Sequence, residues 1–125
     1  MSKIVSFEDL KCWQESRVLV KEVFLFCQNA KIKKDYDVTS QLRRASLSVM
    51  NNIAEGYGRK SDKEFIQFLN YSVGSACEVQ SMLYALLDID YLDNKLFDEK
   101  YKQVEKIKAL TLGLVKYLNT TKNKK

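Results

Sequence analysis

The sequence predicts an all-α protein, an antiparallel up-down four-helix bundle. Three observations predict it. The 125 residues include no proline and only four glycines, too few turn formers for a sheet protein of this length. Apolar residues make up 46% of the chain and recur at spacings of three and four, the period of a helix face. The connections between these segments are short, which sets successive helices side by side in opposite directions. The chain is long enough for one core, and a single domain over residues 1–125 is expected.

Helix one is expected over residues 7–28. Ser6, with Asp9 three residues on, approximates a capping box. Leu10, Trp13, Val20, Phe24 and Cys27 read as its buried face, and Arg17 interrupts that stripe by lying along it toward water. Helix two is expected over 36–57, capped by Asp35 or as late as Ser40. Its apolar arc is Leu42, Ala45, Ser46, Val49, Ile53 and Tyr57. Gly56 or Gly58 would end it in the left-handed conformation.

Ser61 and Glu64 form an S-x-x-E capping box for helix three, expected over 62–89. Phe65, Phe68, Leu69, Ser72, Ala76, Val79, Leu83, Leu86 and Leu87 share its apolar face, and "DIDYLDN" ends it. Helix four is expected over 96–119, buried through Val104, Ile107, Thr111, Leu114, Val115 and Leu118. A flexible lysine-rich tail, 120–125, is expected to follow.

Composition narrows the chemistry. With no histidine, Ser–His–Asp and Cys–His constellations are impossible and most zinc sites are excluded. Cys12, Cys27 and Cys77 are odd in number and far apart, which fits a reducing cytoplasm better than a disulfide framework. "EGYGRKS" has the wrong spacing for a phosphate-binding loop. No run of about 18 apolar residues reads as a membrane span, and "MSKIVSFEDL" is too acidic and polar for a signal peptide. No enzymatic activity, metal or cofactor is expected.

The net charge of +5 is unevenly placed. Residues 95–125 hold nine lysines against Asp98, Glu99 and Glu105, a local balance of +6, while the remainder sums to −1. Such asymmetry points to an anionic partner or to a solvated lysine face. Lys102, Lys106, Lys116, Lys122, Lys124 and Lys125 are the candidate phosphate contacts. Aromatic interleaving there is sparse, limited to Tyr101 and Tyr117.

The stretch "QLRRASLSVMNNIAEGYGR" carries more polar residues than an amphipathic helix needs. On a helical wheel Arg44, Ser48, Asn51 and Glu55 lie within about 60° of one another, opposite the apolar arc. Asn52 borders them, and Arg43 points away. Helix three offers a matching arc with Gly74, Glu78, Tyr71 and Ser75. A glycine in a helix interior costs about 1 kcal/mol relative to alanine, and a close backbone approach would explain it. These residues are expected to form a polar seam, within the bundle or between subunits, in which Arg43 or Arg44 meets Glu55 or Glu78. A ligand site and a plain solvated face are the competing readings.

"FEDLKCWQES", "QLRRASLSVMNNIAEGYGR", "EFIQFLNYSVGSACE" and "DIDYL" resemble successive motifs of the four-helix-bundle family first noticed in intervening sequences of bacterial 23S ribosomal RNA genes. The resemblance spans roughly Phe7 to Leu118. It implies a small cytoplasmic protein that assembles into rings, typically pentamers, with no established enzymatic activity. A related branch, the accessory variability proteins of diversity-generating retroelements, implies association with a reverse transcriptase and nucleic acid. One departure stands out: Met50 occupies the position where the family commonly has proline, so helix two is expected to run straighter here. The expected function is a non-enzymatic homo-oligomeric interaction module with RNA or DNA as partner. The alternative is a protein-binding scaffold with no nucleic-acid role.

Overall fold

The computed structural model describes residues 3–123, and the side chains of residues 3–120. After a 3₁₀ turn at Phe7–Asp9 come four helices: α1 Lys11–Phe26, α2 Tyr36–Tyr57, α3 Asp62–Asp88 and α4 Asn94–Asn123. α1 and α3 each pack against both α2 and α4. Cross-helix pairs fix the directions. Gln41 meets Glu78 while Ser48 meets Ser75, and Glu22 meets Lys100 while Glu15 meets Lys106. Numbers that rise along one helix fall along its neighbour, so the bundle is antiparallel.

The boundaries follow local chemistry. The Asp35 carboxylate accepts from the Val38 N–H at 3.4 Å and from the Tyr91 hydroxyl at 2.9 Å, so the cap of α2 is tied to the α3–α4 connection. Ser61 accepts from the Glu64 N–H at 3.2 Å at the head of α3. Asp93 does the same for the Leu96 N–H at 2.8 Å, so α4 begins two residues earlier than expected.

Three expectations need correction. Helix one is broken near its start: Asp9 accepts from the Val5 and Ser6 N–H groups in a 3₁₀ turn, and extended Leu10 separates that turn from α1. Gly58 ends α2 in the right-handed region, φ −77°, and no described glycine has positive φ. Among the described residues the one in the left-handed region is Asp90, φ 65°, just past α3. Finally, α4 continues to Asn123, so most of the expected tail is helical backbone, with Lys124 and Lys125 outside the described residues. α2 runs unbroken through Met50.

The core matches the apolar arcs read for α2, α3 and α4; of the face read for helix one, Leu10 and Cys27 are buried, and between them the inward side differs. There the buried residues are Cys12, Ser16, Leu19 and Val23, while Phe24 is 37% exposed and Val20 half-buried. α1 is apolar on more than one side, so periodicity alone does not choose its register. The small Cys12 and Ser16 face inward, and Val18, Phe24 and Leu25 stay on the surface. Buried hydroxyls are satisfied inside their own helices: Ser16 donates to Cys12 O at 2.7 Å and Thr111 to Ile107 O at 2.8 Å. Ser72 instead donates across to Val49 O at 2.7 Å, joining α3 to α2.

Gly56 sets the top of that α2–α3 hairpin. A Cβ there would lie 2.7 Å from Phe68 Cβ and 3.0 Å from a Phe65 ring carbon. Phe65 and Phe68 therefore pack on bare backbone.

On the opposite side, α1 and α4 enclose an apolar cleft of about 350 Å³. Lys100 of α4 donates to Glu22 of α1 beside it. Burial works against the Glu22 carboxylate. Hydrogen bonding with Lys100 and Gln103, and the charges of Lys100 and Lys21, outweigh it and hold the group below the usual carboxylate range.

Two outcomes follow from this packing. Gly56→Ala is expected to destabilise the fold by about 1–3 kcal/mol in chemical denaturation, because overpacking outweighs the gain in helix propensity. Glu22→Gln is expected to cost less than about 1 kcal/mol at neutral pH, since the pair is partly exposed. A depressed carboxyl stabilises above its unfolded value, 4.5, and that contribution is lost as pH falls through the folded value. Urea titrations of the two proteins should therefore diverge at neutral pH and converge in acid.

Candidate interaction surfaces

The residues of the polar stripe on α2 divide into three groups. Ser48 and Asn52 form a compact hydroxyl–amide cluster with α3. The Ser48 and Ser75 hydroxyls lie 2.7 Å apart, and Asn52 Nδ2 donates to Ser48 O at 2.9 Å and to Ser48 Oγ at 3.0 Å. Ser75 stands on the arc of α3 that the sequence placed opposite this stripe, and the structure makes it the partner of Ser48.

Arg43 turns toward α1, with its guanidinium 5.8 Å from the Phe24 ring centroid, a cation–π arrangement that covers this half-exposed ring. Arg44, Asn51 and Glu55 are exposed. The expected ionic network is not formed within the chain. Glu55 pairs with Arg59 one turn later at 3.0 Å, and Glu78 accepts from Gln41 Nε2 at 3.4 Å. The physical reason lies in reach and solvation. The i, i+4 geometry offers Glu55 a cation on its own helix, and the α2–α3 contacts use neutral groups of α2, Ser48 with Ser75 and Gln41 with Glu78.

Gly74 also departs from expectation within the protomer. It is exposed, and a Cβ added there would meet nothing within 4 Å. Among the described residues, no backbone outside its own helix approaches it. The outer face of α2 and α3 thus combines Arg44, Asn51, Glu55, Gly74 and Glu78 on the surface, with Ser48, Asn52 and Ser75 half-buried between them.

Of the candidate phosphate contacts, Lys102 and Lys116 are exposed, and Lys106 reaches Glu15 of α1 at 3.3 Å while remaining largely in solvent. The side chain of Lys122, with Lys124 and Lys125, lies outside the described residues. Lys108, not singled out from the sequence, is engaged by Gln80 Oε1 at 3.0 Å and Glu105 Oε1 at 3.3 Å. Burial disfavours its charge, but Glu105 and Cys77 outweigh that and raise its pKa. Tyr84 of α3 was not singled out from the sequence either. It stands 4.8 Å from Phe97 and 5.9 Å from Tyr101 by ring centroids, a three-ring cluster at the surface of α3 and α4. A cross-helix cluster leaves no trace in the spacing of one helix, so only the fold reveals it.

Cys12 and Cys27 are buried, and Cys77 is an exposed free thiol. Burial pushes the Cys12 thiol up, against hydrogen bonding with Thr111. Among the described residues, no three His, Cys, Asp or Glu side chains are grouped so as to hold a metal ion, and no helix is long and apolar enough to cross a membrane.

Comparison with known proteins agrees with this geometry. No curated protein sequence matches the chain significantly. Among solved structures, a protein of unknown function from the S23 ribosomal protein family of Bacteroides thetaiotaomicron superimposes with a TM-score of 0.75 at 22% identity, covering 84% of this chain and 98% of that one. At that identity the likeness establishes the shared helical fold. The profile of the family described as 23S rRNA-intervening sequence protein matches residues 8–113, a span that takes in all of α1, α2 and α3 and most of α4; the chain belongs to that family.

Proposed function

We propose that this protein is a non-enzymatic, homo-oligomeric helical-bundle module that assembles through the outer face of α2 and α3 and offers its α4 lysines to RNA or DNA. Gly74 carries the first half of this reading. It sits in a helix interior, where glycine is unfavourable by about 1 kcal/mol, and no contact among the described residues accounts for it. A second copy packed closely on the small, polar α2–α3 surface would. Arg44, Asn51 and Glu55, exposed on one chain, would then find partners across that contact, where charged groups set register and partner choice more than stability.

The lysine excess of α4 supports the second half. Lys102, Lys106 and Lys116 stand on its outward side, suited to phosphate contact with little reading of bases. In a ring of five copies, the arrangement that the family resemblance implies, the net charge would be about +25, concentrating the field over one particle. The family's description names 23S rRNA intervening sequences, so RNA is the first polyanion to test. The free thiols fit a reducing cytoplasm.

A second reading, a protein-binding scaffold with no nucleic-acid role, is favoured by the apolar side chains left on α1: Val18 is 46% exposed and Leu25 56%. A reverse transcriptase or another protein would then be the partner.

Native mass spectrometry is expected to give a closed oligomer, with five copies the predicted mass. Gly74→Leu should break it into smaller species by filling the contact. Gly74→Ala should leave the isolated protomer as stable or up to about 1 kcal/mol more stable. A monomeric wild type, or an oligomer indifferent to Gly74→Leu, would end the assembly reading. Titration with RNA and duplex DNA at low and moderate salt tests the other half. Binding should weaken as salt rises and weaken further in a Lys102→Glu/Lys116→Glu double variant. Absence of binding at low salt would leave the scaffold reading.

A further inference from the structure

The cleft between α1 and α4 reaches the interior of the bundle. Leu19 and Val23 of α1, Leu42 of α2, Val79 and Leu86 of α3 and Val104 of α4 all line it, and all six are buried. Interiors pack at crystal-like density, and voids much larger than a water are few. This one measures about 350 Å³, within the range of small-molecule sites. Hydrocarbon walls do not supply the polar partners that an ordered water needs, so the space favours an apolar occupant. Leu25, more than half exposed, stands at the rim and opens the cleft to solvent.

Two lining residues are charged, Glu22 and Lys100, and they pair with each other. Gln103 joins both: its Oε1 accepts from Lys100 at 3.0 Å, and it hydrogen-bonds with the Glu22 carboxylate. The charged residues of the lining therefore cancel. A ligand bearing a charge would leave one ion of this set without a counterpart beside apolar walls, and an uncompensated charge there is costly. A hydroxyl enters without that cost. An ammonium has three N–H donors and a carboxylate about four acceptor sites. After the bonds above, Lys100 keeps one donor and Glu22 keeps acceptor sites. A single hydroxyl both accepts and donates, so it can use one of each.

We propose that this cleft binds a small uncharged aliphatic molecule with a terminal hydroxyl, its chain among the buried leucines and valines and its hydroxyl at the Glu22–Lys100 pair. The chain fills space that the side chains leave open, and the ion pair stays intact. A partner's helix is a poorer fit, because a rod about 10 Å across cannot reach walls that lie inside the bundle. This inference stands on the cleft alone and is independent of the assembly and nucleic-acid readings.

Calorimetric titration of the full-length protein at neutral pH with octan-1-ol, octanoate and octylammonium tests it, in whatever oligomeric state the protein adopts. Saturable binding of one alcohol per chain is expected, about tenfold or more tighter than either ion of the same chain length. Affinity should rise about fourfold per methylene from butan-1-ol to octan-1-ol. In methyl NMR spectra, octan-1-ol should shift the signals of Leu19, Val23, Leu86 and Val104 and leave those of Ile53 and Leu69, which belong to a separate core cluster. Glu22→Gln removes the anion that balances Lys100, so octanoate should gain about tenfold on the alcohol in that variant. The wild-type comparison needs no variant, so a poorly folded Glu22→Gln leaves the test intact. No saturable alcohol binding by the wild type overturns the proposal, as it would if a second copy covered the cleft. So does an ion that binds as tightly as the alcohol, methyl shifts spread over both core clusters, or a folded Glu22→Gln that keeps the wild-type ranking.

Discussion

An absent side chain governs how α2 meets α3. At Gly56 the backbone of α2 lies against Phe65 and Phe68 so closely that one methyl group would collide with Phe68 Cβ. Because the two helices are joined by only a few residues there, this contact fixes their separation and register from the hairpin downward. Two turns further along, the seam must still be narrow, and the residues that meet in it are short: Ser72 bonded to Val49 O, then Ser48 against Ser75. Each hydroxyl bonds at close range, and in both pairs it does so across the seam. A leucine at either place would push the helices apart and undo the fit at Gly56.

The α1–α4 side obeys the opposite rule. Its cross-helix ties come from long side chains, Lys100 to Glu22 and Lys106 to Glu15, which reach across a gap that a serine could not span. Behind the first pair lies the apolar cleft. Ion pairs in partial contact with water contribute little stability, so this side is held chiefly by the core below it. The bundle is therefore asymmetric, tight and hydroxyl-bonded along α2–α3, wider and charge-bridged along α1–α4. Conformational opening would be least costly at the second seam, because fewer buried contacts are lost there.

Much of the fold was legible because three of the helices show their buried side plainly. In α2, α3 and α4 the apolar residues occupy one arc with polar residues opposite, and caps such as Asp35 and Ser61 mark the starts. α1 was misread because Val18, Leu19, Val20, Val23, Phe24, Leu25 and Phe26 surround much of its axis, and the inward side is chosen by the small Cys12 and Ser16, which carry weak hydrophobic signal. The candidate surface was legible as a place and not as a set of bonds. Sequence spacing put Ser48, Asn51, Glu55 and Gly74 on matching arcs. It could not show that Arg59 takes Glu55, that Arg43 lies over Phe24, or that Ser75 completes the seam. Those outcomes depend on which of several partners within reach loses least solvation, a tertiary matter. The cleft was invisible for the same reason, since a void belongs to no residue.

The asymmetry also bears on how copies of the bundle could meet. A contact between identical patches produces a two-fold dimer, and it requires a surface complementary to itself. The outer α2–α3 face is small and polar and displays Arg44, Asn51, Glu55, Gly74 and Glu78. The opposite flanks bear exposed apolar side chains, Val18 and Leu25 on α1 and Leu112 on α4, beside lysines. A glycine on one face is best matched by a bulky group on another, and carboxylates by lysines, so unlike faces fit each other better than like ones. Contacts between unlike faces run head to tail, and when the rotation between neighbours divides a full turn they close into a ring. The tight seam would matter in such a ring. An α2–α3 hairpin fixed by Gly56 and its serines would present the same face on every copy, as a closed ring requires, whereas the wider α1–α4 side would be the one to adjust.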